Sequence, residues 1–168
     1  MVQLREILND FAKNIEDFVR NSEGKVVVFD FDGTLTKFKY DKDRLLPCLQ
    51  NEVQQYTIAG GNIYKDVRVL KLMQYIVGQI GENNVWVLTT SYPELRERKS
   101  KIINEAFGIP LGKIIHSDND MHKIELLKDI HNKENKKIVF VEDTVYTLMA
   151  AEDNWDFVEG FHISSLLP

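Results

Sequence analysis

A chain of 168 residues is long enough for one domain with a real core, and 43% hydrophobic with 28% charged residues is ordinary for a globular protein. A net charge of -5 argues against a surface built to lie along nucleic acid, and the single cysteine, Cys48, excludes an internal disulfide and a cysteine-based metal site. No apolar run reaches the length of a membrane span, and the N-terminus is amphipathic with mixed charge, unlike a signal peptide, so the expected location is cytoplasmic.

In chain order, residues 3–20 carry Leu4, Ile7, Leu8, Phe11, Ile15, Phe18 and Val19 at spacings of three and four. This stripe predicts an N-terminal helix packed on a sheet, with Gly24 as a stop signal. Residues 25–30 form the first strand, and its run Val26-Val27-Val28-Phe29 predicts burial on both faces. Residues 36–65 hold Lys37, Lys39, Lys42, Arg44 and Lys65 among Tyr40, Tyr56 and Tyr64, and are broken by Pro47 and Gly60-Gly61. A short helix near 48–57 is the most this segment suggests. Residues 66–80 read as a helix capped by Asp66, with Val69, Leu70, Met73, Ile76, Val77 and Ile80 inward and Gly81 as stop.

Residues 85–89 are a second buried strand. Ser91 and Glu94 have capping-box spacing around Pro93, so the next helix starts near 92. It turns Leu95, Ile102, Ile103, Ala106 and Phe107 inward, with Arg96, Arg98, Lys99 and Lys101 mostly toward solvent and Gly108 as stop. Residues 113–116 are a short third strand, followed by a turn with Asp118 and Asp120 and a helix over 121–131. Residues 138–141 are the fourth strand, 144–152 a short helix and 157–163 the fifth strand. Strict alternation predicts an α/β fold: a Rossmann-like three-layer sandwich with a mostly parallel five-stranded sheet, right-handed crossovers and a small insertion after the first strand. Residues 1–168 read as a single domain.

The chemistry gathers where strands end. The first strand runs into Asp30, Phe31, Asp32 and Gly33, which places two carboxylates where parallel sheets bind ligands. Like charges that close are costly unless a cation offsets them, and a divalent metal is the simplest remedy. Gly33 lets the backbone turn sharply and lets a ligand approach.

The stretch Asp30-Phe31-Asp32-Gly33-Thr34-Leu35-Thr36 behind a buried strand resembles the first motif of the haloacid dehalogenase superfamily in its phosphohydrolase form. The resemblance extends from Val26 to about Ala151. It implies Asp30 as nucleophile and Asp32 as general acid/base. It implies that Thr89, ending the second strand, binds phosphate oxygens, with Thr90 as its rival. It implies a lysine opening the helix before the fourth strand. Lys123 fits best, with Lys128 and Lys113 as alternatives. It implies an acidic pair ending the fourth strand, matched by Glu142-Asp143, and hence a Mg²⁺ site drawn from Asp30, Asp32, Asp143 and Glu142.

Many members carry a further Asp where this chain has Thr147 and Leu148. Either Glu142 takes that role or water completes the shell. Members also insert a cap after the first motif, and residues 36–65 suit only a small lid, whose cations would meet an anionic substrate. The expected activity is a Mg²⁺-dependent phosphomonoester hydrolase acting on a small phosphorylated substrate. The alternatives are a phosphoacceptor signalling domain and a non-catalytic scaffold on the same fold, and the oligomeric state is open.

Overall fold

The core begins with Val26–Phe29 (β1), four residues that are all buried in the centre of the sheet. The computed structural model describes residues 3–38, 55–56 and 58–167. Around β1 stand Val85–Thr90 (β4), Ile114–Ser117 (β5), Ile138–Glu142 (β6) and Val158–His162 (β7), in the order β5-β4-β1-β6-β7. Every pairing in this five-stranded sheet is parallel. Alternation along β1 sends Val27 and Phe29 to one core and Val26 and Val28 to the other.

The first core is covered by Leu4–Asn21 (α1), Lys71–Ile80 (α2) and Pro93–Phe107 (α3), through Phe18, Ile76 and Ile103 among others. The second is covered by Asp120–Glu134 (α4) and Val145–Asn154 (α5), through Leu127 and Leu148. The result is a Rossmann-like three-layer α/β sandwich. Among the described residues, no helix is long and apolar enough to cross a membrane.

Four local expectations change. The helix expected over 66–80 begins only at Lys71, and Asp66 closes a 3₁₀ turn instead of capping it. Val67–Val69 (β3) is a strand, paired antiparallel with Thr36–Phe38 (β2). The two ends of the 36–69 segment thus form a small hairpin on the sandwich, anchored by Leu70 N–H donating to the Leu35 carbonyl at 3.1 Å. β-Branched Val67 and Val69 flanking Arg68 suit a half-buried strand better than a helix.

The α1 stripe is only half used. Ile15 and Phe18 are buried and Phe11 and Val19 pack against the same core, whereas Leu4, Ile7 and Leu8 meet solvent, so only the C-terminal part of the stripe is covered. The Ser91–Glu94 capping box is replaced by an N-cap at Tyr92 that makes no capping bond to the helix, and Ser91 bonds His116 instead. Lys99, expected toward solvent, is fully buried. The suggested helix near 48–57, together with Lys39, Tyr40, Lys42, Arg44, Pro47 and Cys48, lies outside the described residues apart from positions 55 and 56.

Candidate functional site

The chain leaves β1 toward β4 and leaves β6 toward β7, in opposite directions across the sheet. Loops that diverge in this way open a crevice at the carboxyl ends of β1 and β6. Asp30 N–H still donates to the Val141 carbonyl at 2.9 Å, so Asp30 continues the strand register. Its parity follows Val26 and Val28, toward the α4 layer, and Glu142 follows Ile138 and Phe140 toward the same layer. Lys123, in the first turn of α4, donates to Asp30 Oδ1 at 2.8 Å and to Glu142 Oε2 at 2.6 Å. All three side chains are buried.

One ammonium between two buried carboxylates leaves an excess of negative charge. Burial works against the charged form of Lys123, but Asp30 and Glu142 outweigh it and hold its pKa above the ordinary value. Burial and then the charge of Asp30 push the Glu142 carboxyl up, and Lys123 only partly opposes them. The two upward shifts express the same imbalance: the cluster has more anion than cation.

Asp143 adds a third carboxylate. Asp30, Glu142 and Asp143 each offer an oxygen, and these atoms lie within 4.8 Å of one another. Glu142 Oε1 already accepts from the Asp143 and Thr144 N–H groups at 3.1 and 3.3 Å, and Oε2 accepts from Lys123. Asp30 and Asp143 therefore hold the freer oxygens, and Glu142 reads as the group that steadies them. Gly33 makes the approach of Asp143 feasible. Its φ is 79°, and a Cβ there would overlap Asp143 Oδ2 and come within 2.8 Å of Cγ.

The other half of the crevice is held from the opposite layer. Lys99 on α3 donates to Asp32 Oδ2 at 2.6 Å, to Thr89 Oγ1 at 2.9 Å and to the Thr90 carbonyl at 3.0 Å. Burial, with the charges of Asp32 and Asp30 adding to it, pushes the nearby Tyr64 phenol pKa up. Burial raises the Asp32 carboxyl, with Lys99 opposing. Water still reaches 37% of that side chain. Asp32 Oδ1 and Thr34 Oγ1 are buried and find no partner among the described residues.

The structure thus brings Asp30, Lys123, Glu142 and Asp143 together, and ties Thr89 to Asp32 through a lysine. Asp32, read from the sequence as a fourth metal ligand, stands outside the group of three, and its carboxylate is paired with Lys99. Thr90 points away and shares a hydrogen bond with Ser117 at 3.0 Å. Lys113 pairs with Glu134, and Lys128 lies over the Trp155 ring, so neither alternative to Lys123 reaches the crevice. Thr147 and Leu148 are buried in α5, so no further carboxylate comes from there.

Lys99 is the functional residue that sequence reasoning missed. The signal was present: Lys99 sits four residues after Leu95 and four before Ile103, on the row that continues to Phe107, all of them buried. Beside it, His116 bonds Ser91 Oγ at 3.1 Å and Ser100 Oγ at 2.7 Å. Burial, with Lys99 and Arg96 adding to it, pushes its pKa down to about 4. At the rim, Arg96 pairs with Asp118.

Neither the protein-family models nor the curated proteins include a match to this chain.

Proposed function

We propose that the protein is a Mg²⁺-dependent phosphomonoester hydrolase working through an aspartyl-phosphate on Asp30. The reading rests on the resemblance of four motifs, three at strand ends and one at a helix start, to the haloacid dehalogenase superfamily. The observation that carries it is the convergence of a buried, lysine-paired Asp30 with Glu142 and Asp143 at one crevice.

The donor set fits a hard cation. It is all oxygen, it carries uncompensated negative charge, and Gly33 leaves the room Asp143 needs. Asp30 and Asp143 would hold Mg²⁺, with Glu142 steadying both. When bound, the ion supplies neutralisation of the charge between nucleophile and phosphate. The Asp30 carboxylate attacks phosphorus, and the bond from phosphorus to the leaving oxygen breaks. Asp32 gives its proton to that oxygen, a role helped by its raised pKa. Water then attacks the aspartyl-phosphate, Asp32 takes the water's proton, and inorganic phosphate leaves with Asp30 restored. Lys123 neutralises charge on Asp30, and the Thr89 hydroxyl donates to a phosphate oxygen.

The test is hydrolysis of a generic aryl phosphate by wild type and Asp30→Asn, with Mg²⁺ and with chelator. Activity that needs both Asp30 and the metal is expected. Metal-dependent activity persisting in Asp30→Asn refutes the nucleophile. No activity, together with no beryllofluoride adduct at Asp30, refutes the enzyme reading.

A further inference from the structure

Lys99 is a fully buried ammonium, and all three of its hydrogens are directed at acceptors inside the protein: Asp32 Oδ2, Thr89 Oγ1 and the Thr90 carbonyl. Its Nζ lies 5.5 Å from the ring centroids of both Phe31 and Tyr64. A buried ion pair is a poor way to gain stability, since an apolar side chain of similar volume often serves as well or better. A methionine in the row of Leu95, Ile103 and Phe107 would continue the core of α3. The charge at position 99 therefore calls for an explanation beyond packing.

The explanation lies in which atoms Lys99 occupies and which it leaves open. An ammonium is a donor only. Thr89 Oγ1 must accept from it, so the hydroxyl's own hydrogen is left to donate elsewhere. Asp32 Oδ2 is likewise occupied, while Asp32 Oδ1 is buried with no partner among the described residues. One side chain thus gives a direction to two groups on separate strand ends. We propose that Lys99 is a positioning residue that leaves Asp32 Oδ1 unpaired to carry the proton for the leaving oxygen, and leaves the Thr89 hydroxyl hydrogen unpaired to donate to the phosphate. This rests on the phosphatase reading of the same crevice. Lys123 holds Asp30 and Glu142 from the α4 layer, and Lys99 holds the acid and the phosphate donor from the α3 layer.

The role has a signature that simple structural support lacks. As the bond from phosphorus to the leaving oxygen breaks, its electron pair stays on that oxygen, and the proton on Asp32 Oδ1 meets it. A dinitrophenolate leaves without that proton, whereas an unsubstituted phenolate needs it more. The experiment measures kcat and KM with Mg²⁺ for substituted phenyl phosphates, from the dinitrophenyl to the phenyl ester, in wild type and Lys99→Met. The clamp predicts that kcat for the phenyl ester falls by about 100-fold, the scale of a lost general acid, and at least about 10-fold further than for the dinitrophenyl ester. In an Asp32→Asn background, Lys99→Met then adds no further dependence on the leaving group.

An equal loss for every ester in a folded Lys99→Met protein overturns the clamp and leaves the phosphatase reading standing. A wild type that turns over none of the esters overturns that reading and the clamp with it. If Lys99→Met does not fold, Lys99→Leu carries the same test, because it fills the buried position in the row of Leu95 and Ile103 with no N–H donor.

Discussion

Replacing Lys123 by methionine tests the electrostatic account of the crevice. The side chain keeps much of its length and loses its charge, which leaves Asp30 and Glu142 facing each other unpaired. The two ion pairs lie at 2.8 and 2.6 Å, with Asp30, Lys123 and Glu142 side chains 8%, 5% and 3% exposed. At an effective dielectric constant of about 20, each pair is worth about 6 kcal/mol of gross attraction. Desolvation opposes most of that gain, and removing one partner of a buried pair costs about 3–5 kcal/mol net. For a chain of this size each kcal/mol corresponds to about 2–4 °C in Tm, so a drop of about 10 °C is expected.

The assay is urea denaturation in chelator, so that no metal shares the cluster. Adding Glu142→Gln to Lys123→Met should recover about 1–3 kcal/mol, because it removes one of the two opposed carboxylates. A loss below about 1 kcal/mol, as for an exposed pair, would refute the reasoning. So would a double variant no more stable than the single one.

Gly33→Ala should destabilise the fold by about 1–3 kcal/mol through its left-handed backbone, and displace Asp143; calorimetric titration with Mg²⁺ should show weakened binding. His116, held neutral with a pKa of about 4, contributes stability that is full above its ordinary value of 6.5 and is lost as pH falls toward 4. Linkage sets an upper limit of about 3 kcal/mol, and partial exposure reduces it to about 1–2; thermal melts of His116→Asn between these pH values should lack that part of the slope. Phe18→Ala should cost about 3–5 kcal/mol, whereas Leu8→Ser, at a position 56% exposed, should change stability by less than about 0.5 in the same denaturation assay.

The sequence carried much of this in local form. The run from Val26 to Phe29 read as a doubly buried strand, and the alternation of strands with helices implied parallel strands with crossovers. Asp30, Thr89, Lys123, Glu142 and Asp143 were each legible as strand-end or helix-start residues. Gly81 and Gly108 were legible as helix stops, and both follow their helices with positive φ.

The misses share one cause. The stripe on α1 shows a face that can be buried, but how far along the helix the sheet extends is not a property of the helix. The segment 67–69 joins a hairpin because Thr36–Phe38 lies beside it, a pairing across some thirty residues that no local period announces.

By itself, then, the sequence determined which segments are strands and helices of the sheet, and which chemical groups end them, because periodicity and strand-end position depend on near neighbours along the chain. Only the tertiary structure decided the order β5-β4-β1-β6-β7, the pairing of Asp30 with Lys123 and the burial of Lys99 against Asp32 and Thr89. Charge made Lys99 look like a surface residue. It is buried because three acceptors from distant parts of the chain meet its ammonium, and only folding brings those acceptors together.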